Sequence, residues 1–123
     1  MKNKILIDAN VIIRVLLNDD FEQAALANQI IQKGAYTLPE VLDEVAYVLK
    51  RVYKIEKNEI VKNLYDILEE IEIKDFDVMR RAIEIFSKNN LSFVDCILIA
   101  HHEINNVEVF SFDKALNKRL NNS

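Results

Sequence analysis

The run Ile5-Leu6-Ile7 stops abruptly at Asp8, and no other feature narrows the possible folds as much. A half-solvated strand alternates apolar and polar side chains, whereas an unbroken apolar run suits a strand buried on both faces of a parallel sheet. A carboxylate at the carboxyl end of such a central strand lies where open α/β sheets bind ligands. The stretch therefore predicts both a sheet and the edge of that sheet where chemistry would gather.

The hydropathy pattern predicts helices over residues 11–17, 22–33, 57–70, 76–89, 93–103 and 114–120, and another that opens at Pro39. Gly34 is placed just past the end of the second helix, where a left-handed backbone favours glycine. Pro39 suits the first turn of the third, because its missing N–H would have no helical partner there. That helix carries Val41, Leu42, Val45, Val48, Leu49 and Val52 at helical spacing. Ser92 is the expected cap of the helix over 93–103, which is apolar almost all round and so expected to be deeply packed. Strands are expected at 35–38 and 107–110, with a brief strand or extended link through Ile71 and Ile73, and the last few residues should fray. Strands alternating with helices make a layered α/β domain with a small parallel sheet and right-handed crossovers. At 123 residues the chain is expected to be one domain with a sizeable core.

Composition removes several function classes. Sixteen Lys and Arg against twenty Asp and Glu give a net charge of −4, which disfavours a generic binder of phosphate backbones. Contact with a nucleic acid then needs a local basic patch or bound cations. The single cysteine, Cys96, excludes an intrachain disulfide and a thiolate metal cluster, and its apolar helical setting suits a buried thiol. One glycine and one proline leave no Gly-rich phosphate loop. No apolar stretch of ~18 residues and no signal-peptide pattern occur, so a soluble cytoplasmic protein without a membrane role is expected.

Four acids stand out, and each has a plain structural reading. Asp8 and Asp113 precede helices and suit N-caps, worth about 1 kcal/mol each. Asp95 follows Ser92 by three residues in a capping-box pattern. Glu44 is read at the flank of an apolar stripe, beside Val41 and Val48; on that reading Asp43, on a different face, points away when Glu44 points in. Jointly they say more. If the strands at 5–7 and 107–110 are neighbours, Asp8, Asp95 and Asp113 meet in one crevice, and the helix of Glu44 starts at the same edge. Carboxylates ~4 Å apart at an effective dielectric of 20 repel by about 4 kcal/mol per pair. A hard divalent cation with oxygen ligands, Mg²⁺ or Mn²⁺, relieves this. A metal held by acids alone suits phosphodiester hydrolysis, because it activates a bound water and neutralises the leaving oxygen.

The D-x-N at Asp8–Asn10, Glu44 within L-P-E-V-L-D-E-V-A-Y-V-L, Asp95 within L-S-F-V-D-C-I-L-I-A, and S-F-D at 111–113 together resemble the PIN domain. Within it, the chain looks most like the VapC-type toxin ribonucleases of prokaryotic toxin–antitoxin pairs, over essentially its whole length. The resemblance implies a three-layer α/β fold whose central parallel sheet has about four or five strands. It implies that Asp8, Glu44, Asp95 and Asp113 form an acidic quartet binding Mg²⁺ or Mn²⁺, with Asp8 and Asp95 as the direct ligands. Asn10 and Ser111 would orient those carboxylates. It also implies endoribonuclease activity on RNA, homodimers, and inhibition by a cognate antitoxin protein.

Lys50, Arg51, Lys54 and Lys57 form a basic cluster at the end of the third helix, either complementing its dipole or contacting an RNA backbone. Arg14, one to two turns after Asp8, could meet a phosphate or an antitoxin carboxylate. His101 and His102 diverge around their helix and are no chelating pair. Tyr47, Tyr53 and Tyr65 suit core-edge packing or base stacking. Two rivals stay open: a PIN-like scaffold without activity, and an aspartate-nucleophile phosphatase. The latter typically needs a second acid where this chain has Asn10.

Overall fold

The computed structural model describes residues 4–121, in two compact units divided between Lys74 and Asp75. The frayed end expected at the C-terminus falls largely outside the described residues.

The first unit runs β1 (Ile5–Leu6), α1 (Ala9–Leu17), α2 (Phe21–Gly34), β2 (Ala35–Thr37), α3 (Pro39–Arg51), α4 (Lys57–Glu70) and β3 (Glu72–Ile73). The strands form a parallel sheet of order β1-β2-β3, with Ile5 opposite Ala35, Leu6 opposite Tyr36, and Thr37 opposite Ile73. This is a mixed α/β fold with a small parallel sheet flanked by helices. Parallel neighbours need long crossovers, and each here contains two helices. Thr37, fully buried, ties the sheet where β1 ends: its hydroxyl donates to the Ile7 carbonyl (3.0 Å), and the Ile7 N–H donates to the Tyr36 carbonyl (3.0 Å). The backbone entering Asp8 is thereby fixed. Ile12 and Ile13 of α1, Leu42, Val45 and Leu49 of α3, and Ile60, Leu64 and Ile67 of α4 supply the core.

The second unit comprises α5 (Phe76–Lys88), α6 (Phe93–Asn105) and α7 (Lys114–Asn121). Helices α5 and α6 pack together, and Met79, Ala82, Ile83 and Phe86 of the one and Phe93, Cys96, Ile99 and Ala100 of the other are all buried. Phe86 and Phe93 meet edge to face at 5.5 Å. Arg81 joins the helices, its Nε donating to Glu103 (2.6 Å) and its Nη1 to Glu84 (2.7 Å). The Ser92 Oγ accepts from the Asp95 N–H (3.2 Å) as expected of a cap.

Four expectations are corrected. Residues 107–110 form no strand; Val107 and Phe110 stand 45% and 80% exposed, because alternation alone supplies no partner for a strand's backbone. The sheet accordingly has three strands among the described residues instead of four or five. Ile5 and Leu6 are 42% and 50% exposed, since β1 stands at the sheet edge with one neighbour. Helix α6 is buried on one side only: Val94 and Leu98, one turn apart, are exposed.

Candidate functional site

Each acid is placed by a local device. Asp8 is the N-cap of α1, extended at φ −96°, and the Val11 N–H donates to its Oδ1 (3.1 Å). Its side chain lies at an open cavity of about 510 Å³ in the first unit, walled by Leu6, Val11, Leu26, Ala27 and Ile30, with Asn10 and Arg14 as further polar lining. The Arg14 guanidinium is already engaged. Its Nη2 donates to the Tyr53 hydroxyl (2.8 Å) and its Nη1 pairs with Asp19 (3.2 Å), while Nε is buried without a partner. The bond to Tyr53 first, then the charge of Asp19, hold this guanidinium above its ordinary pKa despite the cost of burial.

On α3 the two neighbouring acids differ from expectation. Glu44 is exposed, whereas Asp43 is half-buried; burial first, and the charge of Glu44 second, push the Asp43 carboxyl above its usual range. The buried arc of α3 centres on Leu42, Val45, Ala46 and Leu49, which at ~100° per residue sets Glu44 roughly 150° from its middle. Val41 and Val48, beside Glu44, are only half-buried. Lys50 and Arg51 are exposed near the end of α3, with the Arg51 guanidinium 5.8 Å from the Tyr47 ring centre.

In the second unit, Asp95 sits half-buried in the first turn of α6. Asp113 caps α7, accepting from the Leu116 N–H at Oδ1 (2.8 Å). Ser111 steadies it from behind: its Oγ accepts from the Asp113 N–H (2.9 Å), and its carbonyl accepts from the Asn117 amide (2.8 Å). The histidines are satisfied locally, His102 at the Val107 carbonyl (2.9 Å) and His101 at Asn105 (3.1 Å).

Asp8 and Glu44 thus belong to the first unit, Asp95 and Asp113 to the second. Among the described residues no three His, Cys, Asp or Glu side chains are gathered closely enough to hold a metal ion. The donor chemistry of the four nonetheless fits a hard cation. All are carboxylates, and Asp8 and Asp113 each commit one oxygen to a cap, leaving Oδ2 available. A sequence model of the PIN domain matches residues 5–119. The chain belongs to the PIN-domain family. The match covers both units and all four acids, so the N-caps Asp8 and Asp113 lie inside the PIN domain at its two ends. No curated protein matches the chain. Among the described residues, no helix of this PIN domain is long and apolar enough to cross a membrane.

Sequence reasoning missed two features of this PIN domain. The half-burial of Asp43 follows from the arc drawn by Leu42, Val45, Ala46 and Leu49, which the valines at 41 and 48 blur in the sequence. The exposure of Phe110 and Phe112 had no such signal, because an apolar alternation reads as a buried strand wherever it occurs.

Proposed function

We propose that this PIN domain is a divalent-metal-dependent endoribonuclease, the cytoplasmic toxin half of a toxin–antitoxin pair, acting as a homodimer that a cognate antitoxin restrains. Both units act as one domain on this reading. The observation that carries it is the family match over residues 5–119, within which Asp8, Glu44, Asp95 and Asp113 occur in order. Asp8 and Asp95 would hold Mg²⁺ or Mn²⁺, with Glu44 and Asp113 completing the acidic set. Such an ion, when bound, lowers the pKa of a water and offsets phosphate charge. Glu44 and Asp113 would accept hydrogen bonds from the attacking water, one of them taking its proton as the water oxygen bonds to phosphorus; the P–O bond to the leaving oxygen breaks, and that oxygen takes a proton from solvent. Asn10 and Ser111 keep the carboxylates aimed, Ser111 through the backbone of Asp113. Arg14, Lys50 and Arg51 contribute positive charge toward the RNA backbone, which an acidic protein needs locally.

The test is incubation of RNA with Mn²⁺, with and without chelator, beside Asp8→Asn and Asp95→Asn. Cleavage should require the metal and fall by at least about a hundredfold in either variant, since even residues that only orient metal ligands cost 10–100-fold. Full activity in either folded variant overturns the metal assignment. An acid-stable phosphoenzyme on Asp8 would make the protein a phosphatase instead.

A further inference from the structure

The segment leading into Asp113 carries a feature that the acidic set does not use. Phe110 and Phe112 are 80% and 90% exposed, yet their rings meet edge to face at 5.1 Å. Ser111 is bonded at its hydroxyl to Asp113 and at its carbonyl to Asn117, so the first turns of α7 hold the aromatic segment in place. Apolar surface of this kind is costly to leave in water.

Positive charge follows directly. From Phe110 to the end of α7 the cations Lys114, Lys118 and Arg119 face the single carboxylate of Asp113, on a chain whose net charge is −4. Lys114 and Lys118 are exposed and one helical turn apart on the same face. Lys118 and Arg119 also line a cleft of about 330 Å³ with Asn89 and Asn90. Stacking platforms beside a cationic groove are the two parts of a single-strand nucleic-acid site.

We propose that Phe110, Phe112 and the cationic face of α7 form a binding track for single-stranded RNA. Bases stack on the two rings while phosphates run along Lys114 and Lys118 toward the cleft at Asn89 and Asn90. The strand must be single, because in a duplex the base faces are covered by their neighbours. This inference rests on the ribonuclease reading and extends it: the track feeds RNA to Asp113, the residue after Phe112. An acidic peptide would also meet rings and cations, but the direct continuity with Asp113 favours the nucleic acid.

The chain contains no tryptophan, so Phe112→Trp installs a single fluorophore in the track. The probe is an oligouridylate of about ten nucleotides, titrated in EDTA so that binding is read without cleavage. Saturable quenching of the new indole is expected. By anisotropy of labelled oligouridylate, Phe112→Ala should bind about tenfold more weakly than the unsubstituted protein. Lys118→Gln should flatten the slope of log K against log salt by about 0.7. The melting temperature of Phe112→Ala should be unchanged, as befits an exposed ring. Absence of binding, binding that Phe112→Ala leaves intact with no quenching of the indole, or a marked loss of thermal stability each overturns the track. So does a loss of self-association in Phe112→Ala without a loss of RNA binding, which would make the rings a protein interface. Failure of the ribonuclease reading shows separately, as absent Mn²⁺-dependent cleavage by the unsubstituted protein.

Discussion

Asp43 and Glu44 are one step apart on α3 and live in different surroundings. Burial makes ionisation of Asp43 costly, and the neighbouring Glu44 charge adds to that cost, so its folded-state pKa lies above the ordinary value of 3.8. A carboxyl raised on folding binds its proton more tightly in the native state. Its contribution is therefore most favourable below 3.8 and is lost as pH rises through the folded-state value. Asp43→Asn keeps the shape and removes the charge. We expect it to be more stable than the unsubstituted protein at neutral pH, with the difference vanishing below 3.8; urea melts at both pH values measure this. Equal stability throughout would mean that Asp43 is solvated after all. At this scale the sequence was legible to within a residue: an acid near the core stripe of α3 was evident. Which acid it was depended on the exact arc that packing selects, which a repeat of valines at 41, 45 and 48 blurs.

Helix starts were the most legible elements, because they are specified by groups within a few residues of one another. Pro39 opens α3 and Ser92 caps α6 as their chemistry requires. Asp8 belongs with them, and this double role allows its parts to be separated. Asparagine caps a helix about as well as aspartate, whereas alanine loses the bond to Val11 and costs about 1 kcal/mol. Urea melts should show Asp8→Ala destabilised by about that amount and Asp8→Asn within a few tenths, while both lose cleavage. If Asp8→Asn keeps cleavage and only Asp8→Ala falls, the residue serves as a cap alone. The strands were less legible for the opposite reason. A strand is defined by a partner far away in the chain, and nothing in V-E-V-F at residues 107–110 names one. Ile5 and Leu6 did form β1, but as an edge, because the hydrophobic run reports the appetite for burial and not the number of neighbours.

At the scale of the whole molecule, the four acids are shared equally: Asp8 and Glu44 before the division at Lys74, Asp95 and Asp113 after it. The family match crosses that division without a break, from residue 5 to residue 119. Neither unit alone carries the full set, so a cation bound by all four would stabilise the folded chain as a whole. Binding only to the native state adds RT ln(1 + [L]/Kd), about 2.7 kcal/mol at a hundred times Kd. For a domain of this size that amounts to several degrees in Tm. Thermal melts with increasing Mn²⁺ should rise along this curve and return to the starting value on chelation. The rise should disappear in Asp8→Asn and equally in Asp95→Asn, one substitution from each unit. A rise that survives one of them would place the ion on the other unit alone. No rise at millimolar Mn²⁺ would leave Asp8 and Asp113 as helix caps and the PIN domain without its proposed chemistry.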